Sequence, residues 1–312
     1  MSRNRYEPGW RHEELGAPGT VPIASGAVRY FERGAGEPIV LVHGAMVNAN
    51  LWRRVVPLLA RQFRVVTLDL PFGSHDHALP QVDLSVPGIA QLVIESLETL
   101  GLAGATLLAN DTGGAVAQVV VAERPDLIGR LALTSSDAYE HLPPPAFDYL
   151  RLAAAIPGAL LPILAPLRIR ALRGLPIAQG WLTRRALDPV VSDSYVLPSI
   201  TDRGVRRDLA RVLVGLQSRH TLAAALRFAD FHRPVLIAWS REDRFCPPAN
   251  AHRLARDFPN ARLEWIRDSY TLSPEDQPER VAALVSHFIL TTETAESTES
   301  TETTEPGVAH VR

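Results

Sequence analysis

The sequence is short of cysteine, of long apolar runs and of any excess of charge. Its one cysteine, Cys246, excludes an internal disulfide framework and a thiolate metal cluster, as is common in a reducing cytoplasm. A formal net charge of -2 provides no electrostatic footprint for nucleic acid or for an anionic membrane surface. We therefore expect a cytoplasmic protein with a small-molecule partner, and with neither a nucleic acid nor a membrane partner. The sequence does not indicate an oligomeric state.

Neither end of the chain reads as a membrane anchor. The first residues, MSRNRYEPGWRHEELG, carry scattered charges and no apolar run, so we do not expect a signal peptide. The longest uncharged run, residues 152–167, has only 16 residues and is interrupted by prolines, so we expect it to be buried or to line a pocket. Residues 291–305 hold five glutamates and no basic residue, which predicts a disordered tail.

Short β-type runs alternate with helical patterns along the first half of the chain. This alternation predicts a parallel sheet with crossover helices. The runs are AVRYFE (27–32), PIVLVHG (38–44), RVVTLDL (64–70), ATLLAN (105–110) and RLALTSS (130–136), with helices predicted over about 50–60 and 87–100 and after residue 111.

The alternation stops after RLALTSS and resumes at PVLIAWS, residues 234–240. The intervening segment, 139–232, is punctuated by proline and prone to helix, which predicts an inserted helical cap. A helix near 249–257, a strand RLEWIR (262–267) and a helix over 278–290 complete the sheet domain. The predicted organisation is an N-terminal extension (1–19), a core (20–138 and 233–290), the cap (139–232) and a tail (291–312).

The stretch LLANDTGGAVAQ, residues 107–118, has the outline of a nucleophile turn between a strand and a helix, yet it contains no serine. A nucleophile in such a cramped turn needs small residues two positions away on each side. Around Asp111 these are Ala109 and Gly113, whereas a nucleophilic Thr112 would put Asn110 in a small-residue slot. Asp111 is therefore the candidate nucleophile. The alternative is that Asp111 only caps the following helix.

The stretch PIVLVHGAMVNANLW, residues 38–52, resembles the oxyanion loop of the α/β-hydrolase family. The resemblance implies an oxyanion hole made by the backbone N–H groups of Ala45 and Thr112, and a structural role for His43. Asp243, which follows the strand PVLIAWS, matches the family's position for the acid of the catalytic triad; a solvated turn carboxylate is the alternative. The resemblance spans about residues 20–290. It implies an α/β-hydrolase fold, with a mostly parallel sheet flanked by helices and an inserted helical cap.

An aspartate at the elbow followed by a glycine pair is similar to haloalkane dehalogenases and epoxide hydrolases. Their carboxylate attacks a saturated carbon and forms an alkyl ester, and no cofactor or metal is implied. The dehalogenases hold halide with a tryptophan and an asparagine where this chain has Thr112 and Ala45. Epoxide hydrolases use tyrosines of the cap, for which Tyr149 and Tyr195 are candidates, although this chain reads HGAM where they have a proline.

The largest departure from the family lies in IRDSYTLSPEDQPERVAALVSHF, residues 266–288, where Thr271 occupies the slot of the catalytic histidine. A threonine hydroxyl cannot act as a base near neutral pH. His75 and His77 are the leading substitutes, because they follow a strand whose carboxyl end should face the same crevice. Asp137, at the end of RLALTSS, is an alternative acid.

The sequence thus favours an α/β-hydrolase-fold enzyme that acts on a small, largely apolar molecule through Asp111. Two alternatives remain open at this point. One is a non-hydrolytic lyase, isomerase or cyclase in which Asp111 is an acid or base within an apolar pocket that raises its pKa. The other is a ligand-binding protein that keeps the pocket without turnover. The identity of the substrate depends on cap side chains whose orientation the sequence does not reveal.

Overall fold

The computed structural model of the protein describes residues 7–23 and 26–302. It contains an eight-stranded sheet in the order β1-β2-β4-β3-β5-β6-β7-β8. Strand β2 pairs antiparallel with both β1 and β4, and the remaining neighbours, β4-β3-β5-β6-β7-β8, are all parallel. This confirms the predicted mostly parallel sheet. The strands are β1 (Ala17–Ile23), β2 (Gly26–Arg33), β3 (Pro38–Val42), β4 (Arg64–Asp69), β5 (Ala105–Asp111), β6 (Ile128–Ser136), β7 (Val235–Ser240) and β8 (Ala261–Ile266).

Helices flank the sheet, and the central strands β5 and β7 are buried at nearly every successive residue, as strands covered on both faces are. The helix predicted over about 50–60 is broken into a 3₁₀ turn, Ala49–Trp52, and a short α1. The helices are α1 (Val56–Leu59), α2 (Val86–Thr99), α3 (Thr112–Glu123), α4 (Asp148–Ala154), α5 (Leu160–Leu164), α6 (Pro189–Thr201), α7 (Arg203–Gly215), α8 (Ser218–Ala225), α9 (Pro248–Asp257), α10 (Ser273–Asp276) and α11 (Pro278–Glu302).

The sheet begins inside the segment expected to be an N-terminal extension. Strand β1 starts at Ala17 although its sequence, APGTVPI, contains two prolines. Proline is tolerated there because β1 is an edge strand, where missing N–H donors do not interrupt a ladder. Ahead of β1, Leu15 is fully buried and Arg11 pairs with Asp69 at 2.7 Å. The core therefore includes residues that precede position 20.

The segment between β6 and β7 is helical, and the described residues of 139–232 contain no strand. Helices α4 to α7, with several 3₁₀ turns between them, form the cap. Helix α8 instead packs against α3 of the core, and its Thr221 Oγ1 donates a hydrogen bond of 2.6 Å to the backbone oxygen of Tyr139. The cap thus ends before Ser218, earlier than residue 232.

Two buried acids at the start of the last helical region hold the cap to the core. Glu275 Oε1 accepts hydrogen bonds from Arg53 at 2.5 Å and from the hydroxyl of Tyr195 at 2.9 Å. The carboxylate of Asp276 accepts from the backbone N–H groups of Arg184 and Arg185, at 2.9 and 3.0 Å. These hydrogen bonds join α10, which follows β8, to the cap, so they set the distance between the cap and the sheet.

Helix α11 continues through Glu302, beyond Leu290, where the sequence predicts the start of a disordered tail. The hydroxyls of Thr291 and Thr292 bond to backbone oxygens of the preceding turn, and Arg130 Nε donates a 2.5 Å hydrogen bond to Thr292 Oγ1. The first residues beyond Leu290 are therefore tied to β6. Residues 303–312 of the predicted tail lie outside the described residues. No helix within the described residues has both the length and the apolar character needed to cross a bilayer.

Candidate active site

Asp111 lies at the end of β5 in a strained turn. Its backbone has φ 56° and ψ -134°, a region that residues other than glycine rarely adopt. The turn needs small neighbours, since a Cβ on Gly113 would lie 2.5 Å from the backbone oxygen of His43 and one on Gly44 would overlap the carboxylate of Asp111. Asp111 occupies the N-cap position of α3, but its side chain makes no capping hydrogen bond to that helix.

Burial and two backbone amides shift the pKa of the Asp111 carboxyl group in opposite directions. Burial, with a smaller contribution from the negative charge of Asp243, raises its pKa from 3.8 to about 7. The backbone N–H groups of Thr112 and Ala45 act in the opposite direction by bonding to the charged form. These are the two amides that the sequence assigns to an oxyanion hole, and in the structure they meet the carboxylate itself.

Asp137 and Cys246 stand directly behind the elbow. Thr112 Oγ1 donates to Asp137 Oδ2 at 2.9 Å, and Cys246 Sγ lies 3.9 Å from Asp137 Oδ1. One ligand atom from each of Asp111, Asp137 and Cys246 falls within 4.8 Å of the others. Burial and the nearby charge of Asp111 raise the pKa of Asp137 well above its usual value, and burial raises that of the Cys246 thiol.

Thr271 and Asp243 meet where the family pattern has a histidine and its acid. Thr271 Oγ1 donates to Asp243 Oδ1 at 2.8 Å, and the same oxygen accepts from the backbone N–H groups of Phe245 and Cys246, both at 2.9 Å. Thr271 is fully buried, and its backbone oxygen accepts from Asn110, the residue before the elbow, at 2.8 Å. Asp243 is thus a hydrogen-bonded carboxyl with a pKa raised by burial, rather than a solvated turn residue.

The structure does not bring either substitute histidine to Asp111. His75 is buried, accepts a 3.2 Å bond from the N–H of Gly73 and lies 3.5 Å from Asp208, whereas His77 is exposed. Both line a separate cavity of about 290 Å³. The intervening residue, Asp76, forms ion pairs with Arg11 and Arg29 at 3.1 and 2.7 Å, and these pairs hold the loop toward the N-terminal strands.

His43, predicted to be structural, is fully buried, and its Nε2 accepts a 2.9 Å hydrogen bond from the N–H of Leu70. Burial lowers its pKa to about 4, so the ring is neutral near pH 7 and serves as an acceptor for the backbone. The ring therefore joins the loop after β3 to the end of β4 and takes no part in the cavity at Asp111.

A cavity of about 280 Å³, the apolar cavity, lies between Asp111 and the cap. Its polar side chains are Asp111, Thr112, Tyr149 and Gln179, and none of its lining residues is basic. Tyr149 donates its hydroxyl to the backbone oxygen of Ile177 at 3.1 Å, whereas Tyr195 points to Glu275 and does not line the cavity. The remaining lining residues are aliphatic or aromatic and come mostly from the cap, as with Phe147, Leu150, Ile163, Leu164, Leu167, Leu172, Leu182, Val196 and Leu213.

The run at residues 152–167, expected to be buried or to line a pocket, is divided between the two sides of the cap. Ile163, Leu164 and Leu167 line the apolar cavity, whereas Leu152 and Ile156 are each 61% exposed. No periodicity in this proline-rich run distinguishes the two groups. The lining of the cavity therefore follows from tertiary packing and could not be predicted from the sequence.

Comparisons with known proteins agree with this architecture. Residues 37–157 match the family model described as the alpha/beta hydrolase fold. The chain is 24% identical over 265 residues to an uncharacterised hydrolase, YugF, of Bacillus subtilis, covering 83% of this chain and 92% of that protein. It is 25% identical over 265 residues to haloalkane dehalogenase 2 of Mycobacterium bovis, covering 83% and 90% of the two chains.

Among solved structures, a loop variant of the haloalkane dehalogenase DbeA from Bradyrhizobium elkanii superposes with a TM-score of 0.76 at 20% identity, covering 91% of this chain and 99% of that one. The protein therefore has the α/β-hydrolase fold, with hydrolases and haloalkane dehalogenases among its relatives at low sequence identity.

Proposed function

We propose that the protein is an enzyme in which the carboxylate of Asp111 attacks a saturated, electrophilic carbon of a small, largely apolar molecule and forms a covalent ester, while the bond from that carbon to its leaving group, a halide or the oxygen of an epoxide, breaks. The observation that carries this proposal is the placement of the carboxyl group. It stands on a strained elbow, bonds to the amides of Ala45 and Thr112, and faces the apolar cavity. Once one carboxylate oxygen has bonded to the substrate carbon, the amides can stabilise the other, which becomes the carbonyl oxygen of the ester.

The lining of the apolar cavity limits the electrophiles that suit this site. Thr112 and Ala45 replace the halide-binding tryptophan and asparagine of the dehalogenases, so the two side chains that hold a halide leaving group in those enzymes are missing here. Tyr149 is the only tyrosine among the described residues that line the cavity, which makes it the candidate proton donor for the opening of an epoxide. Activated esters are the third class: attack of the carboxylate on their carbonyl carbon expels the alcohol as an alkoxide and leaves a mixed anhydride, rather than an ester, on Asp111.

Hydrolysis of the ester normally needs a histidine that activates water, and we propose that this site has no such base. The described residues that line the cavity include no histidine, and Thr271 cannot accept a proton from water. We therefore expect an ester on Asp111 to persist, or the substrate to be one whose reaction ends without water.

The test is intact-mass analysis after incubation with small alkyl halides, epoxides and activated esters. We expect a stable mass increase from one of these classes in the unmodified protein and none in Asp111→Asn. A protein that turns over its substrate without an adduct points to the second candidate below. A protein that neither reacts nor turns over any substrate is a binding protein on the same fold.

The second candidate is a non-hydrolytic enzyme in which Asp111 transfers protons. Its supporting observation is the pKa of Asp111, about 7, since general acid–base catalysis favours a pKa near the working pH. Their pH dependence separates the nucleophile from an Asp111 that acts as an acid, whereas an Asp111 that acts as a base shares the pH dependence of the nucleophile and differs from it only in forming no adduct. Attack requires the ionised carboxyl and rises with pH through 7, whereas donation of a proton by Asp111 falls over the same range.

A further inference from the structure

A second cavity opens on the cap beside the apolar cavity. It has a volume of about 410 Å³ and is lined by Arg170, Arg173, Arg184 and Arg185, with no acidic side chain among its lining residues. We call it the arginine cleft. Its arginines belong to a segment, residues 149–187, that contains six arginines and neither aspartate nor glutamate. This local excess is hidden in the net charge of the whole chain.

The acids nearest to the arginine cleft lie outside its lining, namely Asp188, Asp193, Asp268 and Asp276. Asp193 serves both Arg170 and Arg173, at 2.5 and 2.6 Å, so one carboxylate faces two guanidinium groups. Arg184 lies 3.5 Å from Asp268, but the two side chains are 45% and 69% exposed, and water screens such a pair strongly. The guanidinium of Arg185 donates to the backbone oxygen of Asp276 at 2.7 Å and forms no ion pair within the described residues.

Gln179 joins the arginine cleft to the apolar cavity, because its side chain lines both. Its Oε1 accepts a 2.7 Å hydrogen bond from Ser192, a residue of the cleft. One side chain therefore separates an apolar space above Asp111 from a positively charged space that opens on the cap.

We propose that the arginine cleft binds the anionic head group of the substrate, a carboxylate or a phosphate, while the apolar remainder of the substrate lies in the cavity at Asp111. Arginine suits this task, because its planar guanidinium offers paired donors that match the oxygens of both anions. The substrate class is then an amphiphile with a terminal anion rather than a neutral apolar molecule. This inference rests on the proposed function only in taking the cavity at Asp111 as the substrate site.

The test compares the binding of octanoate, octyl phosphate and octan-1-ol by isothermal titration calorimetry. We expect at least one anion to bind roughly tenfold more tightly than the alcohol, because the free energy of one charge-assisted hydrogen bond corresponds to about that ratio of dissociation constants. This preference should weaken as salt is added. The double variant Arg184→Gln, Arg185→Gln should lose it, whereas Arg151→Gln, an exposed cap arginine that lines neither cavity, should keep it.

Octan-1-ol shows whether the apolar cavity is intact in each variant. Where the double variant fails to bind the alcohol, the single variants Arg184→Gln and Arg185→Gln replace it. Equal affinities for anions and alcohol in the unmodified protein overturn the proposal, as does a preference that survives in all the cleft variants. Asp111→Asn should still bind the anion more tightly than the alcohol. The calorimetric test of head-group binding is therefore independent of the mass-spectrometric test of covalent chemistry at Asp111.

Discussion

Replacing Thr271 by histidine should give the site the base that it lacks. Thr271 Oγ1 already lies 2.8 Å from Asp243 Oδ1, so an imidazole at this position would find an acid to orient it. A positioned general base contributes typically about 10²–10⁴-fold in rate. We therefore expect an ester on Asp111 to be hydrolysed about 10²–10⁴ times faster in Thr271→His than in the unmodified protein.

The substitution has a structural cost that sets the conditions of the assay. Thr271 is fully buried, and a larger side chain in a packed site costs typically about 1–3 kcal/mol. The protein should therefore be labelled and chased well below its melting temperature. The decay of the adduct is followed by intact mass after removal of excess reagent. Thr271→Gln is the matched control, because it adds bulk and hydrogen-bonding groups but no base.

Release of the ester in Thr271→His should also rise with pH through about 6.5, where histidine becomes neutral. Equal release from the His and Gln variants would refute the assignment of Thr271 to the histidine slot. Rapid release from the unmodified protein would show instead that another group already activates water. Asp137, which accepts a hydrogen bond from Thr112 beside the elbow, would then be the first residue to test.

Three further predictions follow from charged and tethered groups. The pKa of Asp111 is raised from 3.8 to about 7, so between these pH values the folded protein keeps a proton that the unfolded chain releases. The unmodified protein should therefore lose stability relative to Asp111→Asn as the pH rises from about 4 to 7, by up to about 4 kcal/mol. A difference in melting temperature between the two proteins that does not change with pH would contradict this. Glu275→Ala leaves the buried Arg53 unpaired and should cost about 3–5 kcal/mol in urea unfolding, whereas the exposed Glu279→Ala should stay within about 0.5 kcal/mol. Truncation after Leu290 removes the hydrogen bond from Arg130 to Thr292 and should lower the melting temperature by about 2–4 °C. Removal of residues 303–312 alone should leave the melting temperature unchanged. Equal melting temperatures for the two truncated proteins would mean that the whole tail is dispensable.

The sheet and the elbow could be predicted because their signals are local. Each central strand is a short apolar run followed by a helix, and burial on both faces requires this pattern. The elbow is recognised from Ala109 and Gly113, since the cramped backbone at Asp111 admits only small residues there. Neither inference depends on which distant residues meet.

The parts that the sequence did not reveal depend on distant contacts. Strand β1 was missed because its two prolines argue against a strand until its edge position is known. His75 seemed to face the crevice because it follows β4, but ion pairs from Asp76 to Arg11 and Arg29 draw that loop elsewhere. The partners in these pairs are separated by tens of residues, and no local pattern indicates them.

The chemistry of the site depends on how three neighbouring acids share charge. The charge of Asp243 raises the pKa of both Asp111 and Asp137, the charge of Asp111 raises that of Asp137 as well, and no basic side chain lines the apolar cavity to offset these effects. An apolar substrate that fills the cavity removes further water from Asp111 and so raises its pKa again. The amides of Ala45 and Thr112 oppose this by stabilising the anion. If the amides dominate once the substrate is bound, Asp111 remains a nucleophile near neutral pH; if desolvation dominates, the carboxyl keeps its proton and acts as an acid.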